Sequence, residues 1–168
     1  MANVTLRAIE VAKTISGNSP QTLSFPEGAS QTFKRGAFVQ LDATGRVIVI
    51  ASATPAAILG VASMDATGTA GSDIIVWIAN DDTVFVANLT TAGVALATQW
   101  PDVSRTYGII NVGNNWHIDK AGTRRVLILD LDRRDNLPAT TGGSALGDVG
   151  GREHFMVLGN FAQLAATS

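Results

Sequence analysis

The chain has no cysteine, so disulfides, thiolate nucleophiles and cysteine zinc sites are all excluded. Its two histidines, His117 and His154, leave little imidazole for acid–base or metal chemistry. Charge is also scarce: Asp, Glu, Lys and Arg make up 15% of 168 residues, against roughly 25% in an ordinary soluble domain. A surface with so few charges is either turned toward another chain or built from small Ala and Gly side chains that tolerate exposure, and composition leaves both open. The densest basic spots are the pairs Arg124-Arg125 and Arg133-Arg134, each near aspartates, and the net charge is −2. Nucleic acid is therefore not an expected partner. No apolar run approaches the ~20 residues of a membrane span. The opening Met1–Arg7 has no basic region followed by an apolar core, so neither a membrane nor a secretory leader is expected. The expected setting is the cytoplasm, or an assembly built there.

What is present reads as β-structure. In the stretch Phe33–Ile50, two apolar runs, the second Val47–Ile50, flank Asp42-Ala43-Thr44-Gly45, where the Asp can bond its own backbone and the Gly can take a positive φ. This spacing predicts a β-hairpin. Val47 to Ile50 is apolar on both faces and must be covered twice, as in a sandwich, a barrel or an assembly subunit. At this length one domain is expected.

Residues 1–32 are rich in turn signals, Ser16–Pro20 and Pro26–Ser30, with little between them to build a core. They read as an extended arm carrying one short strand, with residues 33–168 as the β domain. An edge strand folded back on its own domain is the alternative. Thr54–Ala57 turns the chain into a strand at Ile58–Ala62, where the central Gly60 suggests a bulge or a close backbone approach. Ile74–Ala79 and Thr83–Leu89 around Asn80-Asp81-Asp82 suggest a second hairpin. Thr91–Thr98 is the best candidate for a short helix, ended by Trp100-Pro101. Tyr107–Ile110 and Trp116–Asp119 are short strands. In Arg124–Asp132, Leu127, Leu129 and Leu131 alternate with Asp130 and Asp132, suggesting a half-solvated strand. Asp135–Gly151 is a Gly-rich loop, and His154–Leu158 is the last strand. A second Asp-Ala-Thr-Gly at 65–68 is taken as a coincidence of turn chemistry. The expected fold is all-β, a single sandwich or barrel-like domain with at most one short helix.

Constellations for chemistry are weak. Neither histidine has a metal-type partner at helical spacing. Asp130, Asp132 and Asp135 resemble the start of a calcium loop, but Asp135 and Thr141 stand where the Gly and the closing Glu belong. A solvated strand face paired with Arg133 and Arg134 explains them better. Gly142–Leu146 lacks the closing Gly of a nucleophile elbow, and no phosphate-binding or dinucleotide fingerprint occurs. Trp77 reads as core, whereas Trp100 and Trp116, flanked by polar residues, read as surface candidates. No catalytic, cofactor-binding or metal residue is assigned, and an enzyme is not expected.

Taken in order, Gly17–Thr22, Gln31–Ala37, Ile58–Ala62, Ile78–Phe85, Tyr107–Ile109, Asn115–Asp119 and Glu153–Leu158 resemble the capsid decoration (cement) proteins of tailed bacteriophages. The resemblance covers most of the chain through short β-and-turn motifs. It implies a small β-rich virion subunit on the outer capsid surface, bound to the major capsid protein and bridging its copies. It also implies an N-terminal arm along the coat lattice and brings no catalytic residues or cofactor. Self-association is expected, with a trimer by analogy to the family. The alternative is a receptor- or carbohydrate-binding module of a tail fibre or spike, using Trp100, Trp116 and the 135–151 loop.

Overall fold

The computed structural model describes residues 6–99, 102–132, 146–149 and 151–164. Among them the fold is all-β, as expected, with no α-helix and a 3-10 turn at Gly159–Phe161. The organising hairpin forms: β3 (Phe38–Leu41) pairs with β4 (Val47–Val49), Leu41 opposite Val47. The turn is held as its chemistry requires. Asp42 Oδ1 accepts from the Thr44 N–H at 2.8 Å, the Thr44 hydroxyl at 2.7 Å and the Arg46 N–H at 3.0 Å.

This hairpin belongs to a five-stranded sheet ordered β2 (Thr22–Pro26), β6 (Asp73–Ile78), β5 (Gly60–Ala62), β3, β4. Its outer strands meet at a parallel bridge between Glu27 and Val47. Gly60 marks a close approach: a Cβ there would lie 1.9 Å from the Trp77 carbonyl oxygen.

The second sheet is organised by β7 (Thr83–Thr91). It runs parallel to β11 (Asn115–Asp119) at Leu89 and Thr90, and antiparallel to β14 (Arg152–Val157) over Phe85–Asn88. With β10 (Thr106–Val112) and β12 (Val126–Leu131) between those partners, the five strands close into a barrel. Pairing both edges of β7 removes the open edges that a flat sheet would carry. The interior is filled by opposed buried pairs: Phe85 with Phe155, Ile109 with Ile118, Val126 with Val157. Two extra strands, β1 (Glu10–Thr14) and β8 (Val94–Ala95), add to β7. A two-stranded ribbon pairs β9 (Ala97–Gln99) with β13 (Leu146–Val149). The two larger sheets share one core, in which the Phe38 ring sits 5.6 Å from Trp116 and 6.1 Å from Phe155.

Several local expectations are corrected. The segment 91–98 is not a helix. Ala92 and Gly93 both have positive φ, 47° and 81°, and form the two-residue turn of the β7–β8 hairpin. That is the backbone twist a tight hairpin selects, and it overrides the helix preference of Ala and Leu. The strands on either side of Asn80-Asp81-Asp82 are not a hairpin either, since β6 and β7 lie in different sheets. Asn80 Oδ1 accepts from the N–H groups of Asp82 and Thr83 and from the Thr83 hydroxyl, turning the chain from one sheet to the other. In β12 the inward residues are Val126 and Ile128. A register shift between Ile128 and Asp130 then brings Leu131 inward and leaves Leu127 and Leu129 half-buried.

The segment read as an arm contributes two strands rather than one. β1 pairs with β7 and β2 with β6, and Ile9 is fully buried. Arg7 N–H donates to Asn88 Oδ1 at 2.7 Å, so attachment to the body begins by residue 7.

Candidate functional site

The chain's most distinctive chemistry lies at one end of the barrel. On β14, residues 153, 155 and 157 share the inward face by the two-residue period of a strand, so Glu153 points where Phe155 and Val157 point. It is 0% exposed, and neither carboxyl oxygen receives a hydrogen bond from a donor group; the carboxyl meets that of Asp102 instead. Burial first, then the Asp102 charge and the hydrogen bond of the protonated carboxyl to Asp102, push its pKa up to about 9, so the carboxyl is neutral at pH 7.

Asp102 is also buried and opens a tight turn closed by the Arg105 N–H donating to the Asp102 carbonyl. Its Oδ1 accepts from the Tyr107 hydroxyl at 2.5 Å and lies 2.6 Å from Lys120 Nζ. Burial, followed by the hydrogen bond and charge of Asp102, pushes the Tyr107 pKa upward. Lys120 follows β11 and is anchored by its own N–H donating to the Thr90 carbonyl at 2.9 Å. Three segments thus bring an ammonium, a carboxylate, a phenol and a neutral carboxylic acid together, all buried but the partly exposed Lys120. The alternation of Glu153 with Phe155 and Val157 signals its inward direction, but no sequence signal joins it to residues 102, 107 and 120.

A second buried charge pair lies elsewhere. Arg152 Nη2 sits 3.3 Å from Asp132 Oδ2, both nearly fully buried. Asp132 is therefore not on a solvated face, and Arg133, Arg134 and Asp135 lie outside the described residues. Among the described residues no group of three or more His, Cys, Asp or Glu side chains could hold a metal. His117 is 1% exposed on β11, its Nδ1 without a partner, and burial pushes its pKa down. His154 is half-buried on β14.

The tryptophans divide. Trp77 is half-buried and packed against the core, with the Arg35 guanidinium 5.4 Å from its ring centre. Trp116 is 2% exposed, so it is a core residue and not a surface one. Trp100 and most of the 135–151 loop lie outside the described residues, and residues 146–149 of that loop form β13. A cavity of about 310 Å³ opens beside Phe33, Ile50, Ser52, Asn111 and Trp116. The exposed apolar side chains include a pair at two neighbouring hairpin tips. Val94 (68% exposed) follows the Ala92-Gly93 turn, and Val112 (39% exposed) precedes the Gly113-Asn114 turn. Val112 packs so closely on Gly93 that a Cβ there would lie 2.7 Å from its Cγ2. Among the described residues no helix is long and apolar enough to cross a membrane.

Comparison with family models, curated proteins and solved structures gives no match.

Proposed function

We propose that this chain is a decoration protein of a tailed-phage capsid, binding the outer surface of the shell and bridging copies of the major capsid protein. The reading rests on the ordered resemblance of its β-and-turn motifs. What supports it in the fold is where those motifs fall: they supply the approach to β3, strand β5, the crossover from β6 to β7, and strands β10, β11 and β14. These are the parts that frame both sheets. The observation that carries the reading furthest is the apolar tip formed by Val94 and Val112, side by side on adjoining hairpins. Apolar side chains held out on a rigid tip, on a chain with few charges, suit a contact that excludes water against a protein partner. A trimer placed on a local symmetry axis of the shell would present three such tips together.

The glycan-binding alternative loses Trp116, whose ring is enclosed, and retains Trp100 and a loop of which residues 146–149 and 151 are described. The test mixes purified protein with undecorated heads and reads occupancy by cryo-electron microscopy. Saturable, symmetric density on the shell is expected, and Val94→Asp combined with Val112→Asp should reduce occupancy while the melting temperature holds. Absence of density at saturating protein would overturn the reading, as would binding to a glycan array in place of the shell.

A further inference from the structure

The cluster at the barrel end contains one group more than a salt bridge needs. A lysine and an aspartate satisfy each other, and Tyr107 completes the aspartate. Glu153 is then left over, fully buried, with no donor for either oxygen and only the Asp102 carboxyl as its partner. A buried carboxyl set against a second carboxyl is costly, and a structural ion pair gives no reason to retain one.

We propose that Lys120 and Asp102 become joined by an isopeptide bond between Nζ and Cγ, with Glu153 relaying the protons. This inference is independent of the capsid reading, because it concerns the chain's own covalent structure.

The geometry meets the requirements of amide formation one by one. Nζ stands 2.6 Å from Asp102 Oδ1, in contact with the carboxylate it would attack. Both reactants are fixed by their surroundings, the lysine backbone by Thr90 and the carboxylate by the Tyr107 hydroxyl. Such fixed contact can be worth an effective concentration of about 10⁵ M or more. The Tyr107 hydroxyl donates to Oδ1, the oxygen on which negative charge collects when nitrogen adds to Cγ. Glu153, held in its protonated form by burial and by Asp102, supplies the acid.

The step balances without any other reagent. Glu153 gives its proton to Asp102 Oδ2 and recovers one from the Lys120 ammonium, leaving a neutral amine beside a neutral acid. The nitrogen lone pair forms the N–C bond, and the C–Oδ2 bond breaks. That oxygen departs as water with two protons, one received through Glu153 and one from the adding nitrogen. The third ammonium hydrogen stays on the amide nitrogen. Nothing is oxidised or reduced. Ammonium and carboxylate become a neutral amide, which a dry site accommodates more readily than two charges. Partial exposure of Lys120 gives the water an exit.

The test is the mass of the purified, denatured full chain after prolonged incubation in the folded state, followed by proteolysis and peptide sequencing. A species lighter by one water is expected, together with a branched peptide joining Asp102 to Lys120. Lys120→Met and Asp102→Ala should retain the full mass. Glu153→Gln, with folding checked by circular dichroism, should slow bond formation about a hundredfold or more. Asp102→Asn, where it reacts, should lose ammonia instead of water. A wild-type chain that keeps its full mass overturns the proposal. So does a loss of water that persists in Lys120→Met, or a rate unchanged in Glu153→Gln.

Discussion

The buried carboxylate of Glu27 is tied to the backbone of Thr67. Oε2 accepts from the Thr67 N–H at 2.9 Å and its hydroxyl at 2.6 Å, while Oε1 accepts from the Gly68 N–H at 2.8 Å. Two segments forty residues apart are thereby fastened beside the bridge where β2 meets β4. Burial alone would raise the Glu27 pKa, but the Thr67 hydroxyl and the two N–H groups outweigh it and hold the value below 4.5. A lowered carboxylate pKa contributes stability that is complete above the ordinary value and is lost as pH falls through the folded-state value. Glu27→Ala should therefore destabilise the fold by about 1–3 kcal/mol, because the abandoned N–H donors lose their acceptor. Glu27→Gln should lose less at neutral pH and flatten the acid side of the stability profile. Chemical denaturation as a function of pH checks both, and identical acid limbs in Glu27→Gln and wild type would refute the assignment.

The same tetrapeptide shows how far local chemistry can be read. Asp-Ala-Thr-Gly makes a turn at 42–45, closed by the Gly45 N–H donating to the Asp42 carbonyl, but not at 65–68, where the Gly68 N–H goes to Glu27, and the two aspartates do different work. Asp42 bonds within its own turn, whereas Asp65 accepts from the Arg35 N–H and the Lys34 ammonium thirty residues away. The all-β class, the first hairpin, the 107–119 hairpin and the last strand were legible because period-two patterning and turn residues act over short range. The partnership of β6 and β7 was not, since both are apolar on both faces and only tertiary pairing chooses their sheet. Alternation puts Leu127 on the buried face, but Val126 and Ile128 take it, and Asp132 lies past the strand's end, buried by its pairing with Arg152, a contact that local patterning does not encode. At the barrel end, the inward direction of Glu153 was available from alternation with Phe155 and Val157. Its meeting with Asp102 and Lys120 depends on the barrel's closure, which local patterning does not encode.

Gly45 has a φ of 77° in the β3–β4 turn, and a Cβ there would touch nothing within 4 Å. Backbone strain alone therefore determines the effect of a substitution. Gly45→Val should cost about 1–2 kcal/mol, the penalty of placing a β-branched residue in the left-handed region. Gly45→Asn should cost less, since Asn tolerates that region. Thermal unfolding of the two variants gives the comparison, and equal melting temperatures for Val and Gly would contradict the turn geometry.

Deleting residues 1–20 removes β1, uncovers one edge of β7 and takes the fully buried Ile9 from the core. It also removes Ser16, whose N–H and hydroxyl both bond the Asp82 carboxylate. Losing a buried Ile side chain typically costs about 2–5 kcal/mol, a large share of the stability of a small domain. The truncated chain should melt well below the full one, or fail to fold. If removal of 1–20 leaves stability unchanged, β1 does not belong to the domain's own sheet.

Two buried titratable groups, Glu153 and His117, oppose each other across neutral pH. Glu153 keeps its proton in the fold up to about pH 9 but releases it near 4.5 when unfolded. Between those values the unfolded chain binds fewer protons at this site, so stability falls as pH rises. His117 behaves in the reverse sense. Burial lowers its folded-state pKa below the ordinary 6.5, so the unfolded chain takes up the proton first, and stability falls as pH drops beneath that value. Above pH 6.5 the decline belongs to Glu153, while below it His117 subtracts what Glu153 regains. Glu153→Gln should therefore flatten the profile between pH 6.5 and 9, and His117→Leu should flatten the mildly acidic limb without altering the alkaline one. Melting temperatures of the wild type and both variants across this range separate the contributions. An alkaline decline that is as steep in Glu153→Gln as in wild type would show that the carboxyl is already ionised in the folded chain.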